Sequence, residues 1–181
     1  YGDPVYFERC LQAARNLPAL TTLTAPGHRH FKNQNCGAED LRIDRPLELD
    51  GDAHPLLWHP ALEVAWYNRN PQVLKYLDEW ASGWLAHMQP GEYATLVDVK
   101  TETVTQKTNR PLYGGYGGQG SAHNFLYWIT GEGRYLQPYA DGFARGEAVW
   151  PSNRFLPELW HRGFMEPFQN QPGWVSRNPV V

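Results

Sequence analysis

The chain is poor in the features that assign a function class at a glance. It has two cysteines, Cys10 and Cys36, among 181 residues. That is far too few for a disulfide scaffold, and one bond or two buried thiols fit equally, so the redox compartment stays open. It lacks a charge excess: 16 Lys and Arg stand against 19 Asp and Glu, for a net −3. No electrostatic footprint for nucleic acid or an anionic membrane arises from that balance. It also lacks any run near the roughly 20 apolar residues that a membrane span needs. The opening Tyr1-Gly2-Asp3-Pro4 has neither Met nor a signal peptide. The expectation is a chain that is processed, trimmed or a piece of a longer one.

A nucleotide cradle is missing too, although its letters are present. Gly115-Tyr116-Gly117-Gly118-Gln119-Gly120 matches G-x-G-x-x-G. The motif works only between a strand and a helix of a βαβ unit, with an acid about 20 residues on at a second strand. Arg110-Pro111 breaks any strand before the glycines, and Asp141 lies in a helical pattern. The segment reads instead as a loop feeding a helix, with Ala122, Phe125, Leu126 and Ile129 on one face.

Aromatics and turn residues are abundant: 14% aromatic with 8 Trp and 10 Tyr, beside 15 Pro and 17 Gly. The length suits one domain with much loop. Three segments align without gaps from Tyr1, Asn68 and Thr130. Each has an acid or amide (Asp3, Asn70, Glu132), then Pro or Gly, then an apolar pair one residue on. Asp3 and Asn70 are placed to N-cap helices whose first residue is Pro, where no needed N–H is lost. The clearest apolar stripe runs Val73, Leu77, Trp80, Trp84 and Met88. A helical pattern also precedes the second and third copies, with Leu62, Ala65 and Trp66 on one side in the first of these. The unit read from this is an αα-hairpin with a tight turn, repeated and stacked.

The segments "YGDPVYFERCLQAA", "AWYNRNPQVLKYLDEWASGWLAH" and "YWITGEGRYLQPYADGF" resemble the hairpins of α/α-toroid carbohydrate-active enzymes, the six-hairpin superfamily of polysaccharide lyases and glycoside hydrolases. The resemblance implies a mainly α fold of stacked αα-hairpins forming part of a toroid, with long loops and room for a short β-hairpin. Residues 1–150 would hold the hairpin repeats of an incomplete ring. Residues 151–181, with five prolines, would be an irregular segment packed on them.

Two long connections, 18–58 and 89–121, would then carry the chemistry. "GHRHF" sets His28 and His30 on one face if extended, a spacing that can offer two metal ligands, with Cys36, Asp40, Asp52 or His54 to complete a site. No further motif frames that pair. The bland alternative, polar loop residues facing solvent or substrate, is preferred, and no metal or other cofactor is assigned. In the glycine loop, Tyr113 and Tyr116 flank positions where backbone can approach a ligand, and His123 and Asn124 begin the next helix, where an anion is favoured. His123 can equally be a helix-start residue bonded to its own loop. Trp66, Trp80 and Trp84 read as core; Trp58, Trp150 and Trp160 border loops and could stack on sugars.

The resemblance implies β-elimination on a uronic-acid polysaccharide. Tyr116 would be acid and base, His123 base or charge stabiliser, and His30 a further participant. Arg29, Asn33, Asn124, Tyr113, Trp58 and His59 would bind substrate. A hydrolase of the same class would use a carboxylate pair from Glu39, Asp40, Asp44, Glu48, Asp50 and Asp52. A non-catalytic carbohydrate-binding scaffold is the third reading. The expected partners are an acidic polysaccharide or oligosaccharide and the remainder of a longer chain, with no nucleic acid and no membrane. The expected location is extracellular or periplasmic.

Overall fold

The computed structural model describes residues 4–33, 48–52, 54–89, 91–109, 119–138 and 141. Four helices, α1 (Pro4–Leu20), α2 (Pro55–Asn68), α3 (Pro71–Ala86) and α4 (Gln119–Thr130), lie among these residues. A 3-10 turn, Gly133–Tyr135, succeeds α4. The strands are β1 (Thr21–Leu23), β2 (Arg29–Phe31), β3 (Leu49–Gly51), β4 (Met88–Gln89), β5 (Glu92–Asp98) and β6 (Thr103–Thr108).

Helix α2 is the hub. It buries Trp58, Ala61, Leu62, Val64 and Ala65, residues that point to more than one side, and it touches α1, α3 and α4. A helix apolar on several sides has to be enclosed by others. Helix α1 offers the narrower stripe Cys10, Ala14 and Leu17. Helix α3 buries Leu77, Trp80, Ala81, Gly83 and Trp84. The α2–α3 turn shows why these helices end and start where they do. Arg69 adopts left-handed backbone (φ 51) and returns its N–H to Ala65 O. The Asn70 side chain then accepts from the N–H groups of Gln72 (3.0 Å) and Val73 (3.2 Å), with Pro71 first in the helix. The cap expected at Asn70 is present. Asp3 lies outside the described residues.

The strands form two antiparallel sheets. β1 and β2 make a hairpin with Thr22 opposite His30. β5 is central in the second sheet: β6 pairs along it, and β3 and β4 pair with its two ends. One carboxylate joins the sheets, for Asp50 on β3 accepts the N–H of Phe31 on β2 at 3.2 Å.

The toroid expectation is overturned. The architecture is mixed α/β, four helices with two antiparallel sheets, and no stack of repeated hairpins is present among the described residues. The physical reason is that the connections between the caps fold into strands, and the cap pattern is not followed each time directly by a helix. The third copy, from Thr130, leads first into the 3-10 turn Gly133–Tyr135, with helical backbone resuming at Gln137. The connection 18–58 supplies three strands, and the 89–121 segment supplies most of a sheet. Two tryptophans also exchange places. Trp58 is fully buried between Phe31 and Trp80, whereas Trp66 is 42% exposed and stacks on Trp128 at 3.9 Å. The proposed segment 151–181 lies outside the described residues.

Replacing Asn70 by Ala removes two bonds to orphan helix donors, and a lost N-cap costs about 1 kcal/mol. Urea unfolding of Asn70→Ala should show a lower midpoint with an unchanged slope; an unchanged midpoint would mean that the cap contributes nothing.

Candidate metal centre

Three structural elements bring His28, His30, His87 and Glu102 together. The β1–β2 hairpin turns through Thr24 to His28, where Gly27 takes φ +91 and donates its N–H to Thr24 O at 3.0 Å. Beyond this turn the chain is extended, so His28 and His30 fall on the same side. Both abut Gly83 of α3: a Cβ at Gly83 would lie 3.0 Å from His28 Cβ and 3.0 Å from His30 Nε2. One helical turn further on, His87 caps the C-terminus of α3. Glu102 comes from the β5–β6 turn, which Asp98 organises by accepting the N–H groups of Lys100 (2.9 Å) and Thr101 (3.0 Å). Glu102 holds φ 54, left-handed backbone that suits Gly or Asn and strains other side chains by about 1 kcal/mol.

The hydrogen bonds leave the inner face of this cluster bare. His30 is fully buried, and its Nδ1 meets Asp50 Oδ2 at 3.0 Å. The other oxygen, Asp50 Oδ1, meets His54 Nδ1 at 2.5 Å. With Nδ1 donating to Asp50, a neutral His30 ring presents Nε2 as an acceptor lone pair. That Nε2 atom has no hydrogen-bond partner among the described residues, and neither has His87 Nε2 or Glu102 Oε2, all three buried. Glu102 Oε1 bonds His28 Nδ1 and lies 3.7 Å from His87 Nε2. One ligating atom from each of His30, His87 and Glu102 falls within 4.8 Å of the others.

Two imidazole lone pairs and a carboxylate oxygen converging in a buried pocket are the donor set of a divalent transition metal. Tetrahedral ligand atoms about 2.1 Å from zinc lie about 3.4 Å apart, so atoms within 4.8 Å of one another would draw in by up to about 1.4 Å around an ion. The electrostatics suit it. Burial lowers the His87 pKa, opposed by Glu102 and helped by His30, His28 and Lys107, so the ring is held neutral as a ligand must be. Burial raises the Glu102 pKa, but hydrogen bonds from Thr24 and His28 and coulombic interaction with His28 and His30 outweigh it, and the net shift is downward. The C-terminal end of α3 adds the negative pole of its dipole beside His87.

Comparison with protein-family models, with curated proteins and with solved structures finds no match. The geometry therefore has to speak without relatives.

Among the residues singled out from the sequence, His30 sits at the centre of the cluster. Arg29 faces elsewhere: its Nε donates to Glu79 Oε2 at 2.8 Å, Nη1 donates to Thr21 Oγ1 at 3.0 Å, and its guanidinium lies over the Tyr76 ring. Asn33 is buried. Trp58 belongs to the aromatic core. His59 is half-buried on α2, where burial lowers its pKa. His123, read as a base or charge stabiliser at a helix start, is 0% exposed on α4 against Trp80. Asn124 beside it is half-buried. Tyr113 and Tyr116 lie outside the described residues, as do Cys36, Asp40, Trp150 and Trp160. Cys10 is a buried thiol.

The sequence pattern raised His28 and His30 as a metal pair but named other partners. The converging group among the described residues is His30, His87 and Glu102, without Asp52 or His54, and His54 instead meets Asp50. His87 and Glu102 were missed. Nothing local in the sequence marks Glu102, whose left-handed backbone appears only in the structure.

Gly83 tests the packing of the cluster. In an exposed helix interior Gly→Ala stabilises by about 1 kcal/mol. Here the new methyl meets a ring held by Asp50 and edge-on to Trp84. Gly83→Ala should therefore lower the unfolding midpoint, and a stabilised variant would show that the rings move aside freely.

His123 makes a separate prediction. Burial pushes its pKa from 6.5 down to about 3 in the folded chain. Between those values the unfolded chain binds the extra proton, so acid favours unfolding by up to about 1.4 kcal/mol per pH unit. Lowering the pH from about 7 to about 5 should destabilise the native chain more than His123→Gln, read as the difference in urea midpoints at each pH. Parallel pH dependences would contradict the buried neutral ring.

Proposed function

We propose that this protein binds a divalent transition metal, of the zinc class, through His30 Nε2, His87 Nε2 and Glu102. The observation that carries this reading is the convergence of three buried acceptor atoms with no hydrogen-bond partner among the described residues. Without a cation such atoms repel one another and each forfeits its solvation, a cost of about 1–3 kcal/mol per group. A cation removes both penalties. His28 and Asp50 support the ligands as second partners, Asp50 through His30 Nδ1 and His28 through Glu102 Oε1.

Calorimetric titration of the metal-stripped protein with Zn²⁺ should show one site per chain. At a hundredfold excess over Kd the ion should stabilise the fold by about 2.7 kcal/mol. His87→Ala and Glu102→Gln should abolish that stabilisation, whereas Asp50→Asn should weaken affinity about 10–100-fold. Zinc-independent unfolding of the native chain would overturn the reading.

The β-elimination reading remains as a second proposal, with one change of actor. Proton abstraction beside a uronate carboxylate needs positive charge on that carboxylate. Arg29, expected in that role, is held by Glu79, and His123 is enclosed in the core. A cation at His30, His87 and Glu102 would take over the neutralisation. Uronate oligosaccharides should then yield a product with near-ultraviolet absorbance that appears with Zn²⁺ and vanishes with chelator; absorbance unaffected by metal would separate the two proposals.

A further inference from the structure

We infer that the metal centre keeps one coordination position open, and that this position takes an anionic oxygen donor of the carboxylate class from a ligand. The inference rests on the metal reading above and deepens it, because it distinguishes a reactive centre from a structural clamp.

The two sides of the cluster differ. On one side His30 and Asp50 are wholly enclosed, with Gly83 against the ring and Trp84 beyond it. On the other, the side chains of His28 and His87 are 21% and 19% exposed, and that of Glu102 is 11% exposed. An ion bound by His30, His87 and Glu102 would thus be held from within and approached from the His28–His87 edge. Structural zinc sites close all four positions with protein, whereas sites with three protein ligands leave the fourth to water or substrate. Among the described residues, a candidate for a fourth protein ligand is His28, and its Nδ1 is engaged with Glu102 Oε1.

Charge selects the kind of ligand. Glu102 brings one negative charge, and the end of α3 about half of one. A dication exceeds their sum, leaving the open position electropositive. Asp50 lies behind His30 and is surrounded by donors from His30, His54 and Phe31. Among the described residues, the charged and titratable groups that act on His87 are Glu102, His28, His30 and Lys107, and Lys107 is itself paired with Glu92 at 2.5 Å. Glu102 is the only anion in that set, and it is a ligand. Among the described residues the edge thus carries no anion beyond the ligand Glu102, and a dication there suits a carboxylate more than an amine.

Cobalt(II) tests this without any assay of turnover. The full chain, stripped and loaded with Co²⁺, is monitored by visible absorption during titration with acetate, glucuronate and acetohydroxamate. The expected result is a saturable shift of the cobalt bands with each anion, and mutual competition among them. His28→Ala should still bind Co²⁺ and still respond, with affinity for the ion reduced about 10–100-fold. Cobalt bands indifferent to all three anions in the native chain would overturn the open position while leaving metal binding intact. A response that appears only in His28→Ala would do the same, by identifying His28 as the fourth ligand. Failure of the native chain to bind Co²⁺ would overturn the metal reading and this inference together.

Discussion

A single buried carboxylate holds the arrangement in place. Asp50 is 0% exposed and meets His30, His54 and the Phe31 N–H. A charge taken out of water costs several kcal/mol unless donors surround it, and removing one partner leaves the rest uncompensated. The carboxylate can sit there only if β2, β3 and the start of α2 arrive together, because each contributes one of its donors or the residue itself. Packing obeys the same constraint. Phe31, fixed by its N–H, places its ring between His54 and Trp58, and Trp58 continues to Trp80. One aromatic layer thus connects the buried acid to the helix that carries Gly83 and His87.

The same contact decides chemistry as well as architecture. A histidine whose Nδ1 serves a carboxylate presents Nε2 as a pure acceptor, and the fold turns that atom towards two others of its kind. Local rules are broken at this point more than elsewhere in the described chain. Gly83 sits in a helix where Ala would be the better former, and Glu102 occupies left-handed backbone. Concentrated departures of this kind are expected where a site, and not the fold alone, dictates the residue.

Legibility in the sequence divides along the same physical line. Helix α3 was legible because its signals are local: Asn70 and Pro71 at the start, then Leu77, Trp80 and Trp84 at helical spacing. The shared side of His28 and His30 was legible because extended chain alternates. The sheet partners were not, since a three-residue strand such as Leu49–Gly51 has no periodicity to detect and gains its identity only from pairing with β5. Repeated N-caps suggested a repeated fold because cap chemistry is specified within a few residues, whereas stacking is specified by the length and apolar faces of the helices beyond the cap. Trp58 and Trp66 were exchanged for a related reason: burial on a helix enclosed from several sides cannot be deduced from one stripe.

Glu102 illustrates why the completed cluster was out of reach. It is 74 residues from its partner His28, in a turn whose neighbours Thr101 and Thr103 read as ordinary β-turn polarity. Only the register of β5 on β6, with Asp98 opposite Thr103, places that turn beside the end of α3. The register of β3 on β5 then brings Asp50 opposite Val97 and behind His30. β5 therefore carries the site without contributing a ligand: it aligns the acid that orients one histidine with the turn that supplies the second kind of donor. A shift of one residue in either pairing would reverse the face on which Asp50 or Glu102 points and separate the ligands. Two register shifts flank Leu96 and cancel, so Ala94 opposite Lys107 and Val97 opposite Val104 keep one register on both sides of the irregularity. The same stretch of β5, Leu96 to Asp98, therefore fixes both the Asp50 pairing and the entry to the Glu102 turn.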